Sequence, residues 1–174
     1  MKVFVLPTGY LETDAAGIVA GESGPIRLPV LCFLLQTPEH NLLFDTGCHP
    51  DPFTHGGYCK ADLDLAQNDY TLLDADTELF PGVEVVQLPG HTPGLMGLVA
   101  HLAGGVMLLP QDCVYTAANY GPPVRRTGSA ANWEDYHASI DKLRALQARH
   151  HAKIIFAHDW AQAQTLQCAP DFYA

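Results

Sequence analysis

Apolar residues in this chain come in short runs separated by glycine, proline and small polar residues. Leu28 to Gln36 is a near-continuous apolar run, which predicts a strand buried on both faces. Thr37-Pro38-Glu39-His40-Asn41 is a turn, and Leu42-Leu43-Phe44-Asp45 is the next strand, closed by Thr46-Gly47. Arg27 to Asp45 therefore reads as a β-hairpin. Val83 to Gln87 is strand-like and runs straight into Leu88-Pro89-Gly90-His91-Thr92-Pro93-Gly94. Two more apolar runs, Leu98-Val99-Ala100 and Val106-Met107-Leu108-Leu109, flank Gly104-Gly105 as a second hairpin and end at Gln111-Asp112. Ile154-Ile155-Phe156-Ala157 is a later strand, ending at His158-Asp159.

One segment has helical spacing. Trp133, Tyr136, Ile140, Leu143 and Leu146 make a single apolar face. Asn132 stands as N-cap, Glu134 and Asp135 sit in the first turn, and Arg149 and His150 fall near the end, all of favourable polarity. This predicts a helix over 133–149 that covers a sheet face and hands over to the Ile154 strand. A short terminal helix is expected over Trp160 to Gln167.

Elsewhere the pattern is weaker. Lys2 to Leu6 is an apolar strand, Pro7 to Tyr10 a turn, and Asp14 to Gly24 a loop or short irregular strand. Between Cys48 and Asp69, His49-Pro50-Asp51-Pro52 and Phe53-Thr54-His55-Gly56-Gly57 break any regular element. Tyr70 to Phe80 reads as a β-pair around the acidic turn Asp74-Ala75-Asp76. Cys113 to Ser129 is a long loop, and long loops inside compact domains often carry function. No internal repeat or linker is visible.

Composition narrows the class. A chain of 174 residues, 48% hydrophobic, suits one folded domain. A formal net charge of −10 argues against nucleic acid or an anionic membrane surface as partner. No apolar run approaches the length of a membrane span, and the apolar start is too short for a signal peptide. Five cysteines without a CxxC pair fit a reducing cytoplasm. Cys32 and Cys113 read as buried packing residues.

The chemistry gathers at strand ends. His91, Asp112 and His158 each follow directly on a strand, and the Gly/Pro corner holds the His91 imidazole in place. Two imidazoles and a carboxylate are zinc-ligand types. The competing reading is ordinary: a hydrogen-bonded structural histidine or a strand-end cap.

Several motifs in order, "RLPVLCFLLQTPEHNLLFDTG", "PGHTPG", Asp112-x-x-Tyr115 and "IIFAHD", give the chain a specific resemblance to the metallo-β-lactamase fold, and within it to the N-acyl-homoserine lactonases. The resemblance implies an α/β (α+β) fold: an abridged αββα sandwich with mixed, mostly antiparallel strands and covering helices. It implies a single domain over 1–174, shortened between about 48 and 69. The family's His-x-His-x-Asp-His motif is absent from the sequence. His55 in Thr54-His55-Gly56-Gly57 is either a remnant of its end or part of an ordinary loop.

By resemblance, Asp112 would bridge two metals, His91 would serve the first and His158 the second. Tyr115 would hydrogen-bond the lactone carbonyl, Asp45 would organise backbone amides in its Asp-Thr-Gly turn, and Asp159 would support His158. Leu95 departs from the polar residue common after this motif. With four ligands missing, zinc or another divalent metal is expected as one ion rather than two, because two cations would lack compensating charge. The implied function is metal-dependent hydrolysis of a lactone or ester, weakened. The alternative is a non-catalytic, truncated or engineered remnant with a partial metal site. A homo-oligomer is expected if the shortened half leaves sheet edge uncovered.

Overall fold

The computed structural model describes residues 1–47, 69 and 71–174. Two sheets face each other. The first has three antiparallel strands, β1 (Lys2–Asp14), β2 (Pro25–Gln36) and β3 (Asn41–Phe44), in that order. The second has five, β4 (Thr77–Phe80), β5 (Val83–Gln87), β6 (Met96–Leu102), β7 (Gly105–Leu109) and β8 (Lys153–Ile154). Among the described strands, only the β7–β8 pair is parallel. A parallel pair needs a crossover, and the helix α2 (Trp133–His150) provides it.

Alternation along the strands builds two cores. Val3, Val5, Leu31, Phe33 and Leu35 of the first sheet meet Leu98, Ala100, Met107 and Leu109 of the second. The intervening residues Val99 and Leu108 point the other way, onto Tyr136, Ile140 and Leu143 of α2. The second sheet is thus buried on both faces, as the expected sandwich requires. Asn132 caps α2, its Oδ1 accepting from the Glu134 and Asp135 amides.

Several expectations need correction. Pro7–Tyr10 is not a turn. β1 continues through it with a register shift between Pro7 and Gly9, because Pro7 has no N–H to give the ladder. Residues 71–76 form no strand, and β4 alone pairs with β5. β8 is only two residues long, although the Ile155 amide still donates to the Leu108 carbonyl. The segment after Asp112 is not all loop. It holds a one-turn helix, α1 (Ala117–Tyr120). The terminal helix shrinks to α3 (Trp160–Ala163). The breaker clusters around His49 and His55 lie outside the described residues.

The tail closes one edge. Val3 and Tyr173 exchange backbone hydrogen bonds, and the Gly104 amide donates to the Ala174 carbonyl. Among the described residues, β1 and β3 are the outer strands of the first sheet, and β4 and β8 those of the second.

Candidate functional site

His91 sits on the turn after β5, and backbone contacts fix that turn to α2. The Asn132 amide donates to the Gly90 carbonyl, the Ala131 amide to the His91 carbonyl, and Ser139 Oγ to the Pro89 carbonyl at 2.7 Å. Residue 90 must be glycine: a Cβ there would stand 2.5 Å from Tyr136 Cα, and its φ is +137°. Asp112 lies in a 3-10 turn (Gln111–Cys113) after β7. His158 follows β8, its amide donating to the Tyr115 carbonyl.

These three side chains converge. His158 Nε2 is 2.8 Å from Asp112 Oδ1, and His91 Nε2 is 3.6 Å from Asp112 Oδ2. Each imidazole is oriented through its other nitrogen. His158 Nδ1 faces the Pro29 carbonyl at 2.8 Å, and His91 Nδ1 faces the Ser129 carbonyl at 3.2 Å. A carbonyl only accepts, so both Nδ1 atoms carry hydrogen, and in the neutral rings both Nε2 lone pairs point at the carboxylate. Three electron-pair donors facing one another call for a cation between them.

In the metal-free protein, below the folded pKa of His158, a proton serves as that cation. Burial alone would raise the Asp112 pKa, but the hydrogen bond from His158 and the neighbouring imidazoles outweigh it and hold the carboxyl below 3.8. Burial alone would lower the His158 pKa, but Asp112, the Pro29 carbonyl and the Asp45 charge raise it above 6.5. His158 Nε2–H then donates to Asp112.

The donor set suits a divalent metal. The 3.6 Å gap between His91 Nε2 and Asp112 Oδ2 is close to the ~3.4 Å between two ligands of a tetrahedral zinc. The imidazoles, however, face opposite oxygens of the carboxylate. Among the described residues no group of three or more His, Cys, Asp or Glu is arranged to hold one ion.

Tyr115, buried, brings its hydroxyl to 3.2 Å from His91 Nδ1, and its ring lies edge-on to both His91 and His158. Asp45 does organise amides: its Oδ1 accepts from Thr46 and Gly47. Asp159 does not touch His158. Its oxygens cap α3 through the Gln162 amide and bind the Ala117 amide, because a carboxylate at the N-cap position reaches its own helix start first. His55 lies outside the described residues.

Two residues escaped the sequence reading. Gln111, adjacent to Asp112, has φ +47°, donates Nε2–H to Asp45 Oδ2 at 2.6 Å, and leaves its buried Oε1 without a partner among the described residues. Asn119 is fully buried, with all four hydrogen-bonding positions used. Only the Thr116-x-x-Asn119 spacing, a helix-start signature, hinted at it. Cys113 is buried, its thiol pushed up to about 12, and is inert packing.

Comparison with known proteins adds the following. No family model matches the sequence. The chain is 31% identical to the N-acyl homoserine lactonase AiiB of Agrobacterium fabrum, over 99% of both chains. That alignment runs over 272 positions against 174 residues here, so the relative carries a long stretch with no counterpart. Among solved structures, a quorum-quenching N-acyl homoserine lactone lactonase superposes with a TM-score of 0.83 at 20% identity, over 99% of this chain and 98% of that one. An N-acyl homoserine lactone hydrolase with N-hexanoyl-L-homoserine bound at its catalytic metal centre gives 0.82 at 19% identity, with the same coverage.

Proposed function

This chain belongs to the N-acyl homoserine lactonase family, and on that premise we propose that it opens lactone rings of the acyl-homoserine type with the help of a divalent metal. The observation that carries the reading is the pair of Nε2 atoms aimed at the two oxygens of Asp112, with the Tyr115 hydroxyl beside His91. His91, Asp112 and His158 are the proposed ligands, zinc the proposed metal, and one ion the proposed number. His55, outside the described residues, is the candidate additional ligand. A bound divalent metal supplies a Lewis acid and water of lowered pKa.

The chain's own groups do the rest. The Ser129 and Pro29 carbonyls hold both imidazoles in the ligating tautomer. Asp112 carries the negative charge that a cation needs. Tyr115 donates its hydroxyl proton as a hydrogen bond to the lactone carbonyl oxygen, where negative charge develops during attack by water. Asp45 and Asp159 support the surrounding backbone.

We place this function in a single domain over 1–174 in the cytoplasm, with a small-molecule lactone or ester as substrate. Neither nucleic acid nor a membrane is a partner in this reading. Among the described residues no helix is long and apolar enough to cross a membrane. Self-association through the outer strands β3 and β4 completes the proposal.

A second reading is favoured by the lack of a ready three-ligand group among the described residues: a remnant of the fold with little or no turnover. Ring opening of an acyl-homoserine lactone, followed by proton release with and without added zinc, separates the two. The expected result is zinc-dependent hydrolysis slower than that of the longer relatives, lost on chelation and on Asp112→Ala. No zinc binding by elemental analysis together with no turnover overturns it.

A further inference from the structure

Asn119 lies in the one-turn helix after Tyr115, with 0% of its surface exposed. Its Oδ1 accepts from the Thr116 amide at 3.1 Å and from Thr116 Oγ1 at 2.8 Å. Its Nδ2 donates to the Ile18 carbonyl at 2.9 Å and to the Arg125 carbonyl at 3.1 Å. A primary amide has two donors and two acceptor lone pairs, and all four are used.

The bond to Thr116 matters most. The Thr116 N–H belongs to the same peptide unit as the Tyr115 carbonyl, and that carbonyl accepts from the His158 amide at 3.2 Å. A peptide unit is planar. Held at its oxygen by His158 and at its hydrogen by Asn119, the unit resists turning, which restrains the backbone from which the Tyr115 side chain leaves. The other half of the amide acts on the ring. Ile18, fixed by Nδ2, packs with Val19 and Leu28 against Tyr115. A single side chain, bridging 101 positions, thus fixes both the backbone beneath Tyr115 and the wall beside it.

We propose that Asn119 is a positioning residue that aims the Tyr115 hydroxyl at the site. It rests on the reading of Tyr115 given under the proposed function. The side-chain chemistry is specific. Aspartate would keep the acceptors but turn a carboxylate toward two carbonyl oxygens. Alanine would leave two donors and two acceptors buried without partners, a cost that falls on these three segments.

The test uses the whole chain loaded with zinc. Tyr115→Phe is expected to lower kcat about a hundredfold, the effect of losing one donor to a developing oxyanion. Asn119→Ala is expected to reproduce at least a tenfold part of that loss, since small misplacements of a catalytic group are costly. The change should fall on kcat with KM little altered, and the double variant should be no slower than Tyr115→Phe alone. Bound zinc per folded molecule should stay unchanged in Asn119→Ala.

A second readout needs no turnover. In the unaltered protein the Thr116 and His158 amide hydrogens should exchange far more slowly than those of exposed loops, and together. In Asn119→Ala or Asn119→Asp both should speed up while the amides of α2 stay protected. Full kcat per folded molecule in Asn119→Ala, additive losses in the double variant, or fast exchange of the two amides in the unaltered protein each overturn the proposal. If the unaltered chain opens no lactone, the functional reading fails, and the exchange of Thr116 and His158 still decides whether Asn119 fixes that peptide.

Discussion

The two sheets contribute unequally to the site. The second sheet and its crossover deliver His91, Asp112, Tyr115 and His158. The first sheet delivers no side chain to the cluster of two imidazoles and a carboxylate. It supplies the Pro29 carbonyl behind His158 and the Asp45 carboxylate behind Gln111. Burial follows the same division. The second sheet is covered on both faces, by α2 and by the first sheet, whereas β3 leaves Leu43 half exposed. The lesson is that the loops bearing the proposed ligands hang from the better-packed layer, and the other layer tunes their orientation through hydrogen bonds.

That contrast can be broken most sharply by emptying the α2 interface. Ile140 is fully buried against the second sheet, so Ile140→Ala should cost about 2–5 kcal/mol in urea unfolding. The same experiment on the first sheet, Leu43→Ser, should change stability by less than about 0.5 kcal/mol. A Leu43→Ser cost as large as that of Ile140→Ala would show that the outer sheet is covered as well, by a second copy of the chain or otherwise.

A change of pH acts on the bond that joins the loops themselves. With metal removed by a chelator, the raised His158 pKa contributes stability that is fully present below 6.5 and lost as pH rises through the folded value. The lowered Asp112 pKa contributes stability present above 3.8 and lost as pH falls through its folded value. Both contributions coexist between those limits. The melting temperature of the metal-free protein should therefore be highest there and decline above neutrality. Asp112→Asn should flatten the decline. A decline of equal size in Asp112→Asn would assign it to other groups.

Much of the second sheet was legible in the sequence. Its runs are short and apolar, as a sheet covered on both faces requires, its turns carry Gly104-Gly105 and Pro89-Gly90, and α2 announces itself by spacing and by Asn132. The bulge in β1 was not legible, because proline and glycine signal a turn and a bulge alike. Gln111 and Asn119 were invisible for a different reason. Gln111 bonds Asp45 across 66 positions and Asn119 reaches Ile18 across 101, and no local pattern encodes such bonds. Asp159 was misassigned because adjacency to His158 suggested a partner, while the start of α3 offered a nearer one. The convergence of His91, Asp112 and His158 was expected from their order at strand ends. Their facing opposite carboxylate oxygens was not.

The parallel pairing of β7 with β8 also bears on how the site comes into being. Hairpins such as β6–β7 close over a few residues, but β8 can reach β7 only after the long connection through α1 and α2 is ordered, and the closure entropy of that loop delays it. His158 lies four residues beyond this late strand. On a growing chain the His91 turn and Asp112 are made well before their third partner leaves the ribosome. On the proposed ligand set, metal capture is a last event of folding, and a chain stalled before β8 docks is expected to be unable to hold an ion.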